Sequence, residues 1–376
     1  MTPHDSTRRS RRPAICNRAG LTLVELLVVI AIIGLLVGLL VPGVLSARES
    51  GRRTQCMNNM REIAQGCQQF VHARGSFPPG AAADYQPFGG TASNLSPSYG
   101  SSWAAYILAH IGQESLAANW VWGYTATNTG SGLTDLRTVT ISTYACPSSP
   151  MPLFKVPAVN PNLSTATTQR QMSNSYVAIM GTARSINDPS TGKTGYTSPV
   201  QGSVSCSGYG WRANDGVLTA FGRVTPAAII DGLSSTMMVG EWSDWLTDTT
   251  GAKMDVRPNI GFAFGLGANN GCNAYAMYGG TNQWLNAQVF NTTSIRYTIN
   301  QKNGWLIGCY GYGVIYSNGM KGTDEAPNLP LNSAHPGGAV AGFADGSVRY
   351  LTDDTSIEVL SALGCRKDQI PLLNGQ

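Results

Sequence analysis

His335 and Asp345 are the residues whose types and spacing come closest to a catalytic or metal-binding pair, and Gly346 follows Asp345 directly. A histidine and an aspartate can act as a general base and its orienting group, or can bind a metal ion. The Asp-Gly pair, however, lies between two predicted strand segments, 339–344 and 347–351, and this pattern is typical of a two-residue β-hairpin turn. We therefore predict a turn at Asp345 and Gly346 rather than chemistry.

The other three histidines do not complete a site. His4, His72 and His110 lie in the basic N-terminal stretch or in predicted helices, and their spacing matches no ordinary zinc site. Glycine-rich pieces such as residues 310–313 are accompanied by no Walker pattern and no strand-to-helix fingerprint of a phosphate loop, and we interpret them as strand or turn glycines. We predict no catalytic residue, no metal site, no cofactor and therefore no enzyme.

Glu25 is the only charged residue within the apolar run of residues 21–41. As a helix that rises ~1.5 Å per residue, this run is about 30 Å long, which matches one bilayer core. A carboxylate there costs roughly 2.5 kcal/mol or more unless it finds a partner. An ordinary signal peptide or signal anchor explains the apolar run but not the acid, and the run is longer than the core of a signal peptide.

Five arginines, Arg8, Arg9, Arg11, Arg12 and Arg18, precede the apolar run. By the positive-inside rule they place the N-terminus in the cytoplasm and the rest of the chain outside. From residue 21 onward, acidic and basic side chains are equal in number. A neutral body has no basic patch with which to release counterions, so we predict no nucleic-acid partner.

Residues 18–25 read Arg-Ala-Gly-Leu-Thr-Leu-Val-Glu, and this order, followed by an apolar run to Pro42, resembles the leader of type IV pilins and type II secretion pseudopilins. The resemblance implies that a prepilin peptidase cuts after Gly20 and methylates the new N-terminus at Leu21. It further implies that Glu25 pairs with the N-terminus of a neighbouring subunit and that Pro42 kinks the helix. Phe is the usual first residue of such mature chains, and Leu21 departs from this pattern.

Apolar residues continue at helical spacing after the run, at Cys56, Met60, Ile63, Cys67 and Phe70. Glycine and proline at residues 75–79 end this stripe. We predict an α+β, pilin-like fold in which one long helix packs on a mainly antiparallel sheet with a few short helices. The predicted divisions are a cleaved leader (1–20), a transmembrane half-helix (21–41), a head half-helix (42–75) and an extracytoplasmic head (76–376).

Within the predicted head, we expect a second helix over residues 103–118 and strands over 138–145, 175–180, 237–242, 305–316 and 339–351. Four segments in this part resemble a bacterial family of prepilin-type proteins of unknown function that ends in an H-x(9)-D-G signature. They contain Trp103 to Asn119, Tyr144 to Ser148 with Cys146 and Pro147, Asp231 to Glu241, and His335 to Gly346. Within this signature we interpret His335, Asp345 and Gly346 as structural.

Seven cysteines remain beyond the leader, at positions 56, 67, 146, 206, 272, 309 and 365. Cys56 and Cys67 lie about 16 Å apart on one helix and cannot bridge each other. Because Cys146 lies in a segment that resembles the family's Cys-Pro-Ser motif, we expect it to pair with either Cys56 or Cys67.

The function predicted from these features is a structural subunit, anchored in the inner membrane and able to join a type IV pilus or type II secretion-like filament. Its expected partners are the prepilin peptidase, the inner membrane and like or related pilin subunits. The alternative is a membrane-tethered module whose head binds glycans or solutes outside the cytoplasm.

Overall fold

The computed structural model describes residues 22–82, 99–120, 139–155, 171–182, 200–201, 211–220, 222–248, 250–255, 257, 263–269, 288–305 and 329–367. The described chain divides into two compact units, Met1–Ser50 and Gly51–Gln376. The predicted cleavage site at Gly20 and Leu21 lies outside the described residues, as does nearly all of the strand predicted over 305–316.

Four helices and fourteen strands are formed by the described residues. The helices are α1 (Leu23–Arg74), α2 (Trp103–Tyr106), α3 (Glu114–Ala118) and α4 (Ile357–Gly364). The strands are β1 (Tyr99–Ser101), β2 (Phe154–Lys155), β3 (Gln171–Met172), β4 (Tyr176–Thr182), β5 (Val200–Gln201), β6 (Trp211–Arg212), β7 (Met237–Glu241), β8 (Leu246–Thr247), β9 (Lys253–Met254), β10 (Leu266–Asn269), β11 (Gln288–Val289), β12 (Thr292–Ile295), β13 (Gly338–Phe343) and β14 (Val348–Thr352).

Helix α1 changes character along its length. Its apolar side chains from Leu23 to Leu45 are exposed, whereas burial starts at Cys56 and recurs every three or four residues to Val71. This spacing puts one stripe of the helix into the core. The helix remains continuous through Pro42, and it ends at Arg74 because Gly75 adopts a φ of 74° and donates its N–H to the carbonyl of Val71.

The five-stranded sheet has the order β12-β4-β7-β13-β14. β12 runs parallel to β4, and the other neighbours are antiparallel. β4, β7 and β13 are buried on both faces, which explains their nearly continuous apolar sequences. A smaller sheet, β1-β10-β11, and three two-stranded ribbons complete the described strands.

One face of the five-stranded sheet is covered by the second half of α1. Met60 and Ala64 pack with Val239 and Val340 in one core cluster. Gly342 allows this approach, since a Cβ at that position would lie 3.0 Å from the Met60 Sδ. On the other face, Leu360 and Leu363 of α4 belong to a second cluster with side chains of β4 and β13.

Two predicted elements of the head were wrong. Residues 103–118 form α2, a 3-10 turn (Leu108–Ile111) and α3 instead of one helix. α2 ends at Tyr106, and Gly112, with a φ of 71°, ends the 3-10 turn. Within the predicted strand 138–145, residues 139–141 have no regular secondary structure and Ser142–Tyr144 form a 3-10 turn. The Tyr144 hydroxyl donates to the carbonyl of Ala104 at 2.6 Å, so this segment packs on α2 instead of joining a sheet.

The predicted fold class is confirmed: a long, N-terminally apolar helix is combined with a mixed five-stranded sheet and a few short helices, which is an α+β architecture. The hairpin between β13 and β14 is also present. Its loop has three residues instead of two, since the Phe343 N–H donates to the carbonyl of Ser347 and Gly346 adopts a φ of 88°.

Candidate functional site

The first part of α1 exposes a continuous apolar surface, which is energetically unfavourable in water. Its large apolar side chains from Leu23 to Leu45 are exposed, and none of its most apolar 18-residue stretch is buried. Among the described helices, α1 alone is both long enough and apolar enough to cross a membrane. Since a span needs about 20 apolar residues, α1 is suited to serve as a membrane anchor.

Glu25 lies in the first turn of α1 and forms a capping box with Thr22. The Glu25 carboxylate accepts the Thr22 N–H at 2.8 Å and the Thr22 hydroxyl at 2.9 Å, and the Thr22 hydroxyl accepts the Glu25 N–H at 3.3 Å. These bonds satisfy backbone donors that a helix start leaves unpaired. Sequence reasoning missed this role, although the Thr-x-x-Glu spacing ahead of an apolar run is its signal.

In the head, a disulfide joins Cys146 to Cys56 of α1. Asn59, one turn further along α1, holds the same segment: its Nδ2 donates to the carbonyl of Ala145 at 2.8 Å. Cys67 is a free, buried cysteine. Of the two partners that the resemblance left open for Cys146, the structure uses Cys56.

Four buried side chains of ligand type meet at this disulfide. Cys56, Cys146, Glu241 and His335 each offer an atom, and these atoms lie within 4.8 Å of one another. The His335 Nε2 lies 3.5 Å from the Cys146 Sγ and 3.8 Å from the Glu241 Oε1. We call these four residues the Cys-His-Glu cluster.

Each member of the Cys-His-Glu cluster comes from a different part of the fold. Cys56 lies on α1, Cys146 follows the 3-10 turn Ser142–Tyr144, and Glu241 ends β7. His335 precedes β13, and its N–H donates to the Ser333 hydroxyl at 3.0 Å. All four belong to the second compact unit.

The Glu241 carboxylate is fixed from two sides. Its Oε1 accepts the Ser243 hydroxyl at 2.6 Å, and its Oε2 accepts the Val340 N–H at 3.0 Å. Burial raises the pKa of the Glu241 carboxyl above its usual value, while the bond from Ser243 and the nearby His335 oppose that shift. A carboxylate so deeply buried is costly unless it has a counter-charge or a proton.

His335 and Asp345 do not form a pair. They lie on either side of β13, a strand of six residues that spans about 20 Å at ~3.3 Å per residue. The Asp345 Oδ1 accepts the Ser347 N–H at 2.8 Å, and the Gln68 amide of α1 donates to the carbonyl of Ala344. Asp345 and Gly346 therefore shape a turn that packs against α1.

Sequence reasoning assigned Glu241 no site role and predicted no metal site. That prediction relied on ligand spacing along the chain, which detects zinc sites built from one or two local motifs. The members of the Cys-His-Glu cluster are too far apart in sequence for such a pattern. The available signal was an acid in the otherwise apolar strand Met237–Glu241.

Two known sequence families match the chain. A family described as a protein of unknown function (DUF1559) matches residues 45–358, which is most of the chain. The chain belongs to the DUF1559 family. The prokaryotic N-terminal methylation motif matches residues 15–41 of this DUF1559 protein. No curated protein and no solved structure gave a match to it.

The two matches cover different candidate sites of this DUF1559 protein. The methylation motif contains Gly20, Leu21 and Glu25, and it identifies a leader like that of pilins and pseudopilins. The DUF1559 match contains every member of the Cys-His-Glu cluster together with the β13–β14 turn.

Proposed function

We propose that this DUF1559 protein is a prepilin-like structural subunit and not an enzyme. A prepilin peptidase removes residues 1–20, α1 anchors the mature chain in the inner membrane, and the head lies outside the cytoplasm. The observation that carries this proposal is the N-terminal methylation motif over residues 15–41, joined to the exposed apolar part of α1.

Assembly into a type IV pilus or type II secretion-like filament gives Glu25 a second role. Cleavage after Gly20 creates an α-ammonium group at Leu21, which is the opposite charge that makes a carboxylate tolerable in lipid. Both bonds from Thr22 end on the Glu25 Oε2. The carboxylate has two oxygens, so it can cap its own helix and also accept a bond from a neighbouring subunit.

Processing is tested by intact-mass and N-terminal analysis of the protein isolated from its native membrane. We expect a mature chain that starts at N-methylated Leu21. A chain that retains Arg8 to Gly20 would overturn the proposal.

Assembly is tested with a matched pair of variants, Glu25→Gln and Thr22→Ala. Glu25→Gln removes the charge but keeps an amide oxygen that accepts the cap bonds, whereas Thr22→Ala removes the two cap bonds made by the Thr22 hydroxyl and keeps the charge. If Glu25 pairs between subunits, Glu25→Gln loses most of the material that pellets as filaments, and Thr22→Ala retains it. Leader removal should remain intact in both variants.

Two outcomes would reject the pairing role. Retention of the filaments in Glu25→Gln, with loss only in Thr22→Ala, would show that Glu25 acts only as a helix cap. A fully processed wild-type chain that never pellets and remains monomeric in the membrane would instead favour the tethered module that binds glycans or solutes, which a glycan array would then test.

A further inference from the structure

We propose that the Cys-His-Glu cluster is a binding site for one Zn²⁺ ion, which is held when Cys56 and Cys146 are reduced. The disulfide and the metal are then alternative occupants of one buried position. This inference concerns the head alone and does not depend on leader processing or on filament assembly.

The first argument is the direction of the donor atoms. A single atom, the His335 Nε2, faces both the Cys146 Sγ at 3.5 Å and the Glu241 Oε1 at 3.8 Å. In a relay of the Cys-His-Glu type, the two ring nitrogens of the histidine face different partners. In the Cys-His-Glu cluster, sulfur, nitrogen and oxygen atoms instead point towards one another, as the ligand atoms around a metal ion do.

The second argument is the match in size. With Zn–S near 2.3 Å and Zn–N or Zn–O near 2.0–2.1 Å, a tetrahedral site has edges of about 3.3 to 3.8 Å between its ligand atoms. The distance of 3.5 Å from the His335 Nε2 to the Cys146 Sγ matches the S–N edge, and the 3.8 Å from the same nitrogen to the Glu241 Oε1 is about 0.5 Å longer than the N–O edge. The two sulfurs must separate to about 3.8 Å, and this happens when the S–S bond is broken. The remaining ligand atoms already lie within 4.8 Å of one another and must move closer together around the ion.

The third argument is the surroundings of Glu241. Its carboxylate and the His335 ring are both fully buried beside two sulfurs, and a purely structural disulfide has no use for either group. A divalent cation at this position would supply a counter-charge that offsets the cost of burying this carboxylate. The bonds from Ser243 and Val340 already orient that carboxylate, as hydrogen-bond partners orient the ligands of a bound metal.

The donor set indicates the metal. Zn²⁺ is bound in four-coordinate sites by thiolates, imidazoles and carboxylates, and the cluster offers two, one and one of these in a buried position. Ca²⁺ and Mg²⁺ prefer sites made of oxygen ligands alone. All four positions are taken by protein, so the site is of the closed, structural kind and has no place for a substrate.

The interconversion balances as a two-electron reduction. A dithiol reductant donates two electrons and two protons to the Cys56–Cys146 bond and becomes a disulfide itself. The S–S bond breaks and two S–H groups form. Zn²⁺ then replaces the two thiol protons and binds both sulfurs, His335 and Glu241.

The test uses the full chain in detergent, reduced with a phosphine that is converted to its oxide, and then given Zn²⁺ or Co²⁺. We expect one zinc per chain by elemental analysis after removal of free metal, and a thiolate-to-cobalt charge-transfer band with Co²⁺. The oxidised chain should take up neither metal. His335→Gln should lose stoichiometric zinc, and Ser243→Ala should weaken zinc affinity about 10–100-fold.

Cys67→Ala is the matched control, because Cys67 is a buried cysteine of the same helix outside the cluster. It should bind zinc like the wild type, and each variant's fold is checked by its circular dichroism before metal is added. Three results would overturn the proposal: a reduced chain without zinc, equal loss of zinc in Cys67→Ala and folded His335→Gln, or a disulfide that is reduced only after the head unfolds.

Discussion

Loss of the Cys56–Cys146 bond should destabilise the head strongly. The bond links positions 90 residues apart, and the loop-entropy relation for a closed loop of this length gives about 4.6 kcal/mol at 25 °C. This is a large share of the roughly 5–15 kcal/mol by which natural domains are stable. The perturbation is the double variant Cys56→Ala and Cys146→Ala, because alanine introduces no unpaired hydroxyl into the buried site.

The assay is urea unfolding of the head in detergent, followed by tryptophan fluorescence, with a chelator present so that zinc cannot compensate. We expect the free energy of unfolding to fall by about 4.6 kcal/mol relative to wild type. Cys67→Ala removes an equally buried sulfur without opening a loop, and it should cost much less. The reasoning is refuted if the double variant is no less stable than Cys67→Ala.

Two further predictions concern α1. Asn59→Ala removes the side-chain donor to the carbonyl of half-buried Ala145 and should cost about 1 kcal/mol in urea unfolding. A cost no greater than that of Gln55→Ala, which removes only the amide bonded to Asn59, would contradict this. Burial raises the pKa of Cys67 from 9.0 to about 12, so the unfolded chain loses this proton first and stability should fall as pH rises from 9 towards 12. The fall should be smaller in Cys67→Ala, and equal pH curves for the two chains would refute it.

The elements that sequence reasoning predicted well are those with one strong, regular signal. α1 follows from an unbroken apolar run and then a stripe at helical spacing, and its end follows from Gly75. β4, β7 and β13 follow from short apolar runs bounded by turn residues. In each case the local pattern and the tertiary burial favour the same structure.

The elements that it predicted poorly are those where distant contacts override the local pattern. Ser102 begins α2, but its hydroxyl donates to the carbonyl of Phe264 instead of capping the helix, and Gly112 ends the 3-10 turn that follows α2. The stretch before Cys146 has strand-forming residues, yet Tyr144 packs in the core and donates its hydroxyl hydrogen bond to α2. Such contacts cannot be read from a window of neighbouring residues.

The candidate sites divide in the same way. Glu25 is recognisable because an acid in an apolar run is costly, and the leader motif explains it. The Cys-His-Glu cluster is not recognisable, because its four members come from α1, a 3-10 turn, β7 and the segment before β13. Only the folded sheet shows that these segments meet.

The order of strands in the five-stranded sheet has a consequence for biogenesis. β13 and β14 are the only neighbours in this sheet that a tight turn connects, and the other pairs join strands far apart in sequence. Folding dominated by such distant pairings is slow. If the head is exported as a growing chain, the sheet face that Met60 and Ala64 cover stays incomplete until β13 has emerged, because β13 supplies Val340 and Gly342. This protein should therefore depend on chaperones and be open to proteases during translocation.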